Sequence, residues 1–142
     1  MATIEYQPFF QGEAGTGFRE SGSKTDRSGS GRKLQAVQLR VNGLATFFVI
    51  YDVKIAGGTW LGRVSTLSGE GTIRGDATTP ERFVDAVYFD LVDLPIDFNL
   101  STIKYQVKWA NEPDKWSGYC QNGEVLSRSG VGIVGLEVKF GE

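Results

Sequence analysis

Apolar and polar residues alternate from Ile103 to Trp109, with Ile103, Tyr105, Val107 and Trp109 on one side and Lys104, Gln106 and Lys108 on the other. The same period returns at Leu136, Val138 and Phe140. Successive side chains of a strand point to opposite faces, so both pieces predict strands with one buried face. The plan occurs twice more upstream. Ile4, Tyr6, Pro8 and Phe10 alternate with polar neighbours and are answered by Val37, Leu39 and Val41, with Gln38 and Arg40 outward. Val49, Tyr51, Val53 and Ile55 alternate with Asp52 and Lys54 and are answered by Val87, Phe89 and Leu91, with Tyr88 and Asp90 outward. Pro8 has no N–H to give a ladder, which predicts an edge or a bulge there.

The spacing repeats as well as the pattern. Tyr6 to Ala36 and Tyr105 to Gly135 each span 30 positions, and Tyr51 to Ala86 spans 35. An aromatic residue (Phe18, Trp60 or Trp116) follows each tyrosine at an offset of 12, 9 or 11. This predicts one domain built from three internal repeats, at about 2–43, 44–93 and 101–142. Each unit has room for about four short strands and has too little chain to cover its own apolar face. The expected fold is therefore all-β: a pseudo-threefold β-prism of three sheets of about four antiparallel strands, with a β-trefoil as the alternative. One-sided alternation in the long strands suits flat sheet walls around one core. Between those strands, Ser21 to Gly31 has the composition of a flexible linker. Thr79-Pro80-Glu81 can cap a single helical turn, Asn42-Gly43 signals a turn, and 93–101 reads as a longer connection.

Composition narrows the chemistry. The chain has 142 residues and 19 glycines, which imply many tight turns. Its net charge of −2 comes from 15 basic and 17 acidic residues mixed along the chain, with no basic stripe for nucleic acid. No apolar run reaches the roughly 20 residues of a membrane helix, so no membrane insertion is expected. The first residues carry no classical secretory signal, which leaves a cytoplasmic protein or one exported by another route. A lone Cys120 excludes an intrachain disulfide. There is no histidine, which removes the commonest general base and most zinc sites. Carboxylate pairs such as Asp76 with Glu81, or Glu112 with Asp114, read equally well as solvated turn residues. The expectation is a non-enzymatic protein without metal or cofactor.

The third unit strings together Tyr105, Val107 and Trp109, then Trp116, Asn122-Gly123-Glu124, Gly130 and Gly135-Leu136-Glu137-Val138. This order resembles the ChW repeat, a short bacterial module named for its clostridial, hydrophobic character and its Trp. The second unit keeps Tyr51, Trp60, Gly69-Glu70, Gly75 and Ala86-Val87. The first keeps Tyr6, Glu20, Gly22 and Ala36-Val37, with Phe18 in place of the Trp. The resemblance implies surface or sugar-binding association without a defined activity. The expected architecture is similar to that of jacalin-like and monocot-type lectins, none of whose sugar-binding motifs occurs here.

A flat aromatic beside hydrogen-bonding groups suits the apolar face of a sugar ring. Trp116 sits among Asp114, Lys115 and Tyr119, and Trp60 beside Thr59 and Arg63. Each Trp is either such a platform or a plug in the core, and Trp109, on an inward face, is core. Glu20, Asp26, Arg63, Asp76, Asp114, Asn122, Glu124 and Arg128 are candidates for sugar hydroxyls, and for each a solvated turn residue is the plainer reading. The expected function is a lectin with up to three related shallow sites at one end of the column, binding a glycan or monosaccharide, with a homo-oligomer possible. The competing expectation is a structural or assembly module that presents its loops to other protein chains.

Overall fold

A computed structural model describes residues 3–13, 15–43, 47–93 and 102–141. The chain is all-β, with twelve strands in three four-stranded antiparallel sheets and no helix among the described residues. Each unit contributes four strands. The first gives β1 (Thr3–Phe10), β2 (Arg19–Glu20), β3 (Lys24–Asp26) and β4 (Leu34–Asn42). The second gives β5 (Phe47–Ile55), β6 (Val64–Ser65), β7 (Arg74–Gly75) and β8 (Val84–Asp93). The third gives β9 (Thr102–Trp109), β10 (Cys120–Gln121), β11 (Leu126–Ser127) and β12 (Ile133–Gly141). The connection expected at 93–101 lies outside the described residues beyond Asp93.

The long strands pair within a unit, β1 with β4, β5 with β8 and β9 with β12. Among the described residues no ladder joins the long strands of different sheets, so the sheets stand as three walls rather than closing a six-stranded barrel. The short strands divide between walls. The second strand of each unit pairs with its own first strand, whereas the third crosses to the closing strand of the unit before it. Thus β7 completes the wall of β1 and β4, β11 that of β5 and β8, and β3 that of β9 and β12. The exchange runs around the ring, so every wall contains chain from two units.

The linker expected at Ser21–Gly31 is therefore ordered. It contains β3, whose Thr25 is buried opposite Leu136, and Arg27, whose N–H donates to the Val134 carbonyl. Gly and Ser are numerous there because the chain turns sharply on either side of a three-residue strand. The helical turn expected at Thr79 is a non-helical turn, closed by the Arg82 N–H on the Thr79 carbonyl.

The inward alternation supplies the core. Tyr6, Tyr51 and Tyr105 are each fully buried, one per wall, with Leu39, Phe89, Leu136 and Val138 around them. A buried phenol needs a hydrogen-bond partner, and each of these finds one on the strand exchange. Tyr6 donates to the Ser23 carbonyl, Tyr51 to that of Thr72 at 2.6 Å, and Tyr105 to that of Glu124. Each acceptor precedes the crossing strand of the same unit. Just before each crossing strand a glycine N–H reaches the neighbouring wall: Gly22 to Val138, Gly71 to Leu39 and Gly123 to Phe89, at 3.0, 2.9 and 2.8 Å. The tyrosine spacing seen in the sequence is this joint, repeated three times.

The second anchor is a bulge. Phe9 faces Ala36, Lys54 faces Ala86 and Lys108 faces Gly135, and beside each pair the register slips by one residue. The extra residues are Gln35, Asp85 and Val134, all buried. The slip explains why Leu34 and Val37, three apart in sequence, share the inward face. Pro8 lies where β2 has already ended, and the nitrogens at its two equivalents, Val53 and Val107, donate to side chains (Asp52 Oδ1 and Ser117 Oγ) rather than to a ladder.

Asp26, at the end of β3, ties the exchanged strand to its host wall. Burial alone would raise its carboxyl pKa, but the Lys108 Nζ at 2.7 Å and the Ser28 N–H outweigh it and hold the group at about 2. A carboxyl more acidic in the fold than in the open chain adds stability above its unfolded value near pH 4 and loses it as pH falls towards 2. Replacing Asp26 with Asn is expected to flatten part of the fall in stability between about pH 4 and 2 while leaving the slope above pH 5 unchanged. Urea unfolding followed at several pH values checks this.

Candidate functional site

The outward faces carry the polar pairs that a solvated sheet would scatter at random. Directly across the two long strands stand Gln7 and Gln38, Asp52 and Tyr88, and Gln106 and Glu137, at equivalent places in the three walls. All but Gln7 are buried although they point away from the core. Gln7, Asp52 and Glu137 are each met by the loop that leads to the second strand of their unit, while Gln38 Nε2 donates to Glu70 Oε1 and the Gly71 carbonyl of the second unit. Each of these three loops passes through a glycine with positive φ, namely Gly17, Gly62 or Gly118. The Gly17 N–H donates to Gln7 Oε1 at 2.9 Å and the Gly62 N–H to Asp52 Oδ2 at 3.1 Å. In the third wall Gln106 Nε2 and the Tyr119 hydroxyl both donate to Glu137 Oε1, at 2.7 and 2.8 Å.

The tryptophans belong to the same loops. Trp60 pairs across from Lys54 and Trp116 from Lys108, so both indoles lie on outward faces near the C-terminal ends of β5 and β9. Neither plugs the core, whereas Trp109 does. Pairing of Tyr6 with Arg19, Tyr51 with Val64 and Tyr105 with Cys120 fixes the equivalence of the loops. Counting back from these, Gly15 stands where the other units have Trp60 and Trp116, and Phe18 aligns with Arg63 and Tyr119. Phe18 therefore does not replace the Trp. In the first wall the aromatic comes from the strand instead: a Cβ on Gly15 would sit 2.7 Å from the Phe9 ring.

The second wall holds a cleft on its outward face. Trp60, Arg63, Asp52, Tyr88, Gly123 and Val125 line this cleft of about 340 Å³. Trp60 is 38% exposed and meets the Tyr88 ring edge-on at 6.1 Å between centroids. The Arg63 guanidinium lies 5.3 Å from the same ring. The Tyr88 hydroxyl is shielded from solvent and has no hydrogen-bond partner among the described residues. Burial pushes its pKa up, against the lowering by Arg63, so at neutral pH it holds its proton and can donate. Asp52 spends its two oxygens on the Val53 and Gly62 N–H groups, each with a lone pair to spare.

The third wall is built differently. Trp116 is half-buried, with the ammonium groups of Lys108 and Lys24 at 5.3 and 5.8 Å from its ring. Tyr119 is exposed and lies under Lys139 at 4.3 Å. A separate cleft of about 290 Å³ is lined by Trp116, Trp109, Glu112 and Arg128.

The remaining candidates are dispersed. Asp76 takes the Thr78 and Thr79 N–H groups and the Thr78 hydroxyl, which hold its carboxyl at about 2 and make it a turn cap. Asn122, at φ 32°, accepts the Ile103 N–H, and the Glu124 carboxylate accepts that of Gln121. Glu20 faces Glu5 on the first wall, Asp114 is exposed, and Arg128 pairs with Glu112 at 2.8 Å. Thus Trp60 and Arg63 meet in one cleft and Trp116 and Tyr119 share another face, which of the acidic candidates Asp26 reaches through Lys108. Asp52 and Tyr88 were missed as site residues, although an aromatic and a carboxylate both outward on facing strands were the signal. The described residues contain no cluster of three or more Cys, Asp or Glu able to hold a metal ion. No family model, curated protein or solved structure matches the chain.

Proposed function

We propose that the protein binds carbohydrate without transforming it, with the principal site in the cleft between Trp60 and Tyr88. The observation that carries this reading is the Tyr88 hydroxyl: a buried donor without a partner among the described residues, walled by a half-open indole. An unpartnered buried hydroxyl costs about 1–3 kcal/mol, and a ligand hydroxyl or the water it carries would remove that cost. Trp60 offers an apolar face for the ring, while Asp52 and Arg63 offer an acceptor and donors for equatorial hydroxyls. The ChW-like order of residues points to the same class. Three related walls in one chain would also let weak contacts act together on a displayed glycan.

A glycan array followed by titration of the best ligand tests this. Trp60→Ala is expected to weaken binding at least tenfold while leaving the melting temperature within a few degrees, because the indole lies outside the core. Tyr88→Phe should also weaken binding, with thermal stability unchanged or higher since an orphaned hydroxyl is gone. Retention of no glycan at high protein concentration would leave the assembly reading, for which exposed apolar residues such as Leu61, Leu67, Ile73 and Val125 offer contacts.

A further inference from the structure

The three walls are equivalent in geometry but not in charge, and the difference is sharpest two residues along from the buried polar pairs. In the first wall Glu5 faces Arg40 and the two form an ion pair at 2.8 Å. In the second wall Ile50 faces Asp90. In the third, Lys104 faces Lys139. Like charges directly opposite across a sheet repel and destabilise the pair. Among the described residues neither lysine forms an ion pair, and Lys24 forms none either, although it faces Glu137 across the ladder. Lys108 adds a fourth ammonium to this face and is answered by Asp26.

Next to the facing lysines the buried Glu137 gives Oε1 to Gln106 and Tyr119, while its Oε2 accepts no hydrogen bond among the described residues. Lys139 stands over the exposed Tyr119 ring. A ligand fitting this face would place an anionic group between Lys104 and Lys139. It would donate a hydroxyl to Glu137 Oε2 and lay an apolar edge on Tyr119. A bare anion satisfies only the first demand, and the Glu137 carboxylate repels it. A neutral sugar leaves the lysine pair unanswered.

We propose that the outward face of the third wall is a second site, selective for acidic saccharides such as uronic acids, distinct from the cleft at Trp60. This rests on the carbohydrate-binding reading of the protein. It assigns Lys104, Lys139, Glu137 and Tyr119 as the binding residues.

The test is amide NMR of the intact chain titrated with glucose, galactose, glucuronate, galacturonate and, separately, inorganic sulfate. A uronate is expected to shift the amides of Lys104, Gln106, Glu137 and Lys139, where its neutral parent does not. That shift should weaken several-fold as ionic strength rises from 20 to 300 mM, by roughly the loss expected for exposed charges. Lys139→Glu recreates the complementary pairing of the first wall, so it should fold and should lose uronate binding at least tenfold while leaving any response around Trp60 and Tyr88 intact. Equal affinity for sulfate and uronate, or a uronate response confined to the second wall, would overturn the proposal. A neutral sugar that shifts the second wall while no uronate moves the third would sink this inference alone. No response to any sugar at either wall, joined to an empty array, would sink the functional reading with it.

Discussion

Replacing Tyr51 with Ala is expected to cost about 3–5 kcal/mol, the usual price of deleting a large aromatic from a packed core. That is enough to unfold most of a marginally stable chain. Tyr51 is fully buried, stacks towards Phe89 at 6.3 Å, and holds the Thr72 carbonyl at 2.6 Å. Its hydroxyl also accepts the Leu39 N–H at 3.3 Å, so one phenol joins its own unit to the wall of the unit before it. Burial pushes its pKa up to about 12, which keeps the donor protonated at neutral pH. Tyr51→Phe retains the ring and isolates the hydrogen bonds. It should cost about 1–3 kcal/mol, because the Thr72 carbonyl and Leu39 N–H lose their partner. Urea unfolding gives both values, and hydrogen exchange at the amides flanking β7 should rise more than elsewhere in the Phe variant. Uniform exchange across all three walls would show that the joint is no weaker point than the rest.

The second large effect is expected at Asp85. This residue is the bulge residue of β8, fully buried, with its carboxylate on Lys54 Nζ at 3.1 and 3.2 Å and on the Gly130 N–H at 2.8 Å. Asp85→Ala strands the ammonium and the amide together. Breaking a buried pair in this way costs about 3–5 kcal/mol, and the lower end applies because Lys54 keeps a quarter of its side chain in contact with solvent. Asp85→Asn keeps an acceptor for Gly130 and should cost visibly less. The combined change of Asp85→Leu with Lys54→Met removes both charges, and its stability should return towards that of the parent. If the single Ala variant unfolds at the same urea concentration as the parent, the ion pair adds nothing.

Both residues show what the sequence could and could not disclose. Alternation fixed the inward faces of all six long strands, and the three tyrosines marked equivalent positions, because one-sided burial leaves a period-2 trace. The exchange of the short strands left no such trace. Strands of two or three residues are too brief for a pattern, and their partners lie in another unit. For the same reason β3 was hidden inside a run of Gly and Ser. Phe18 was matched to the tryptophans by its offset, whereas the ladder register assigns Gly15 to that place, a difference that a gap in loop length conceals. Asp52 and Tyr88 were visible as outward residues, but outward usually means solvated, and only the covering loop at Gly62 makes them a buried pair.

The crossing of β3, β7 and β11 has a consequence for how such a protein could arise or be rebuilt. No single copy of the unit is self-sufficient, since it lends one edge forward and borrows another from behind. A fragment carrying two copies would be left with one unfilled edge and one homeless strand, which are complementary to each other only across a missing third. Shortening the gene by one copy therefore yields open, adhesive ends, whereas moving the termini to a different junction keeps the circle whole.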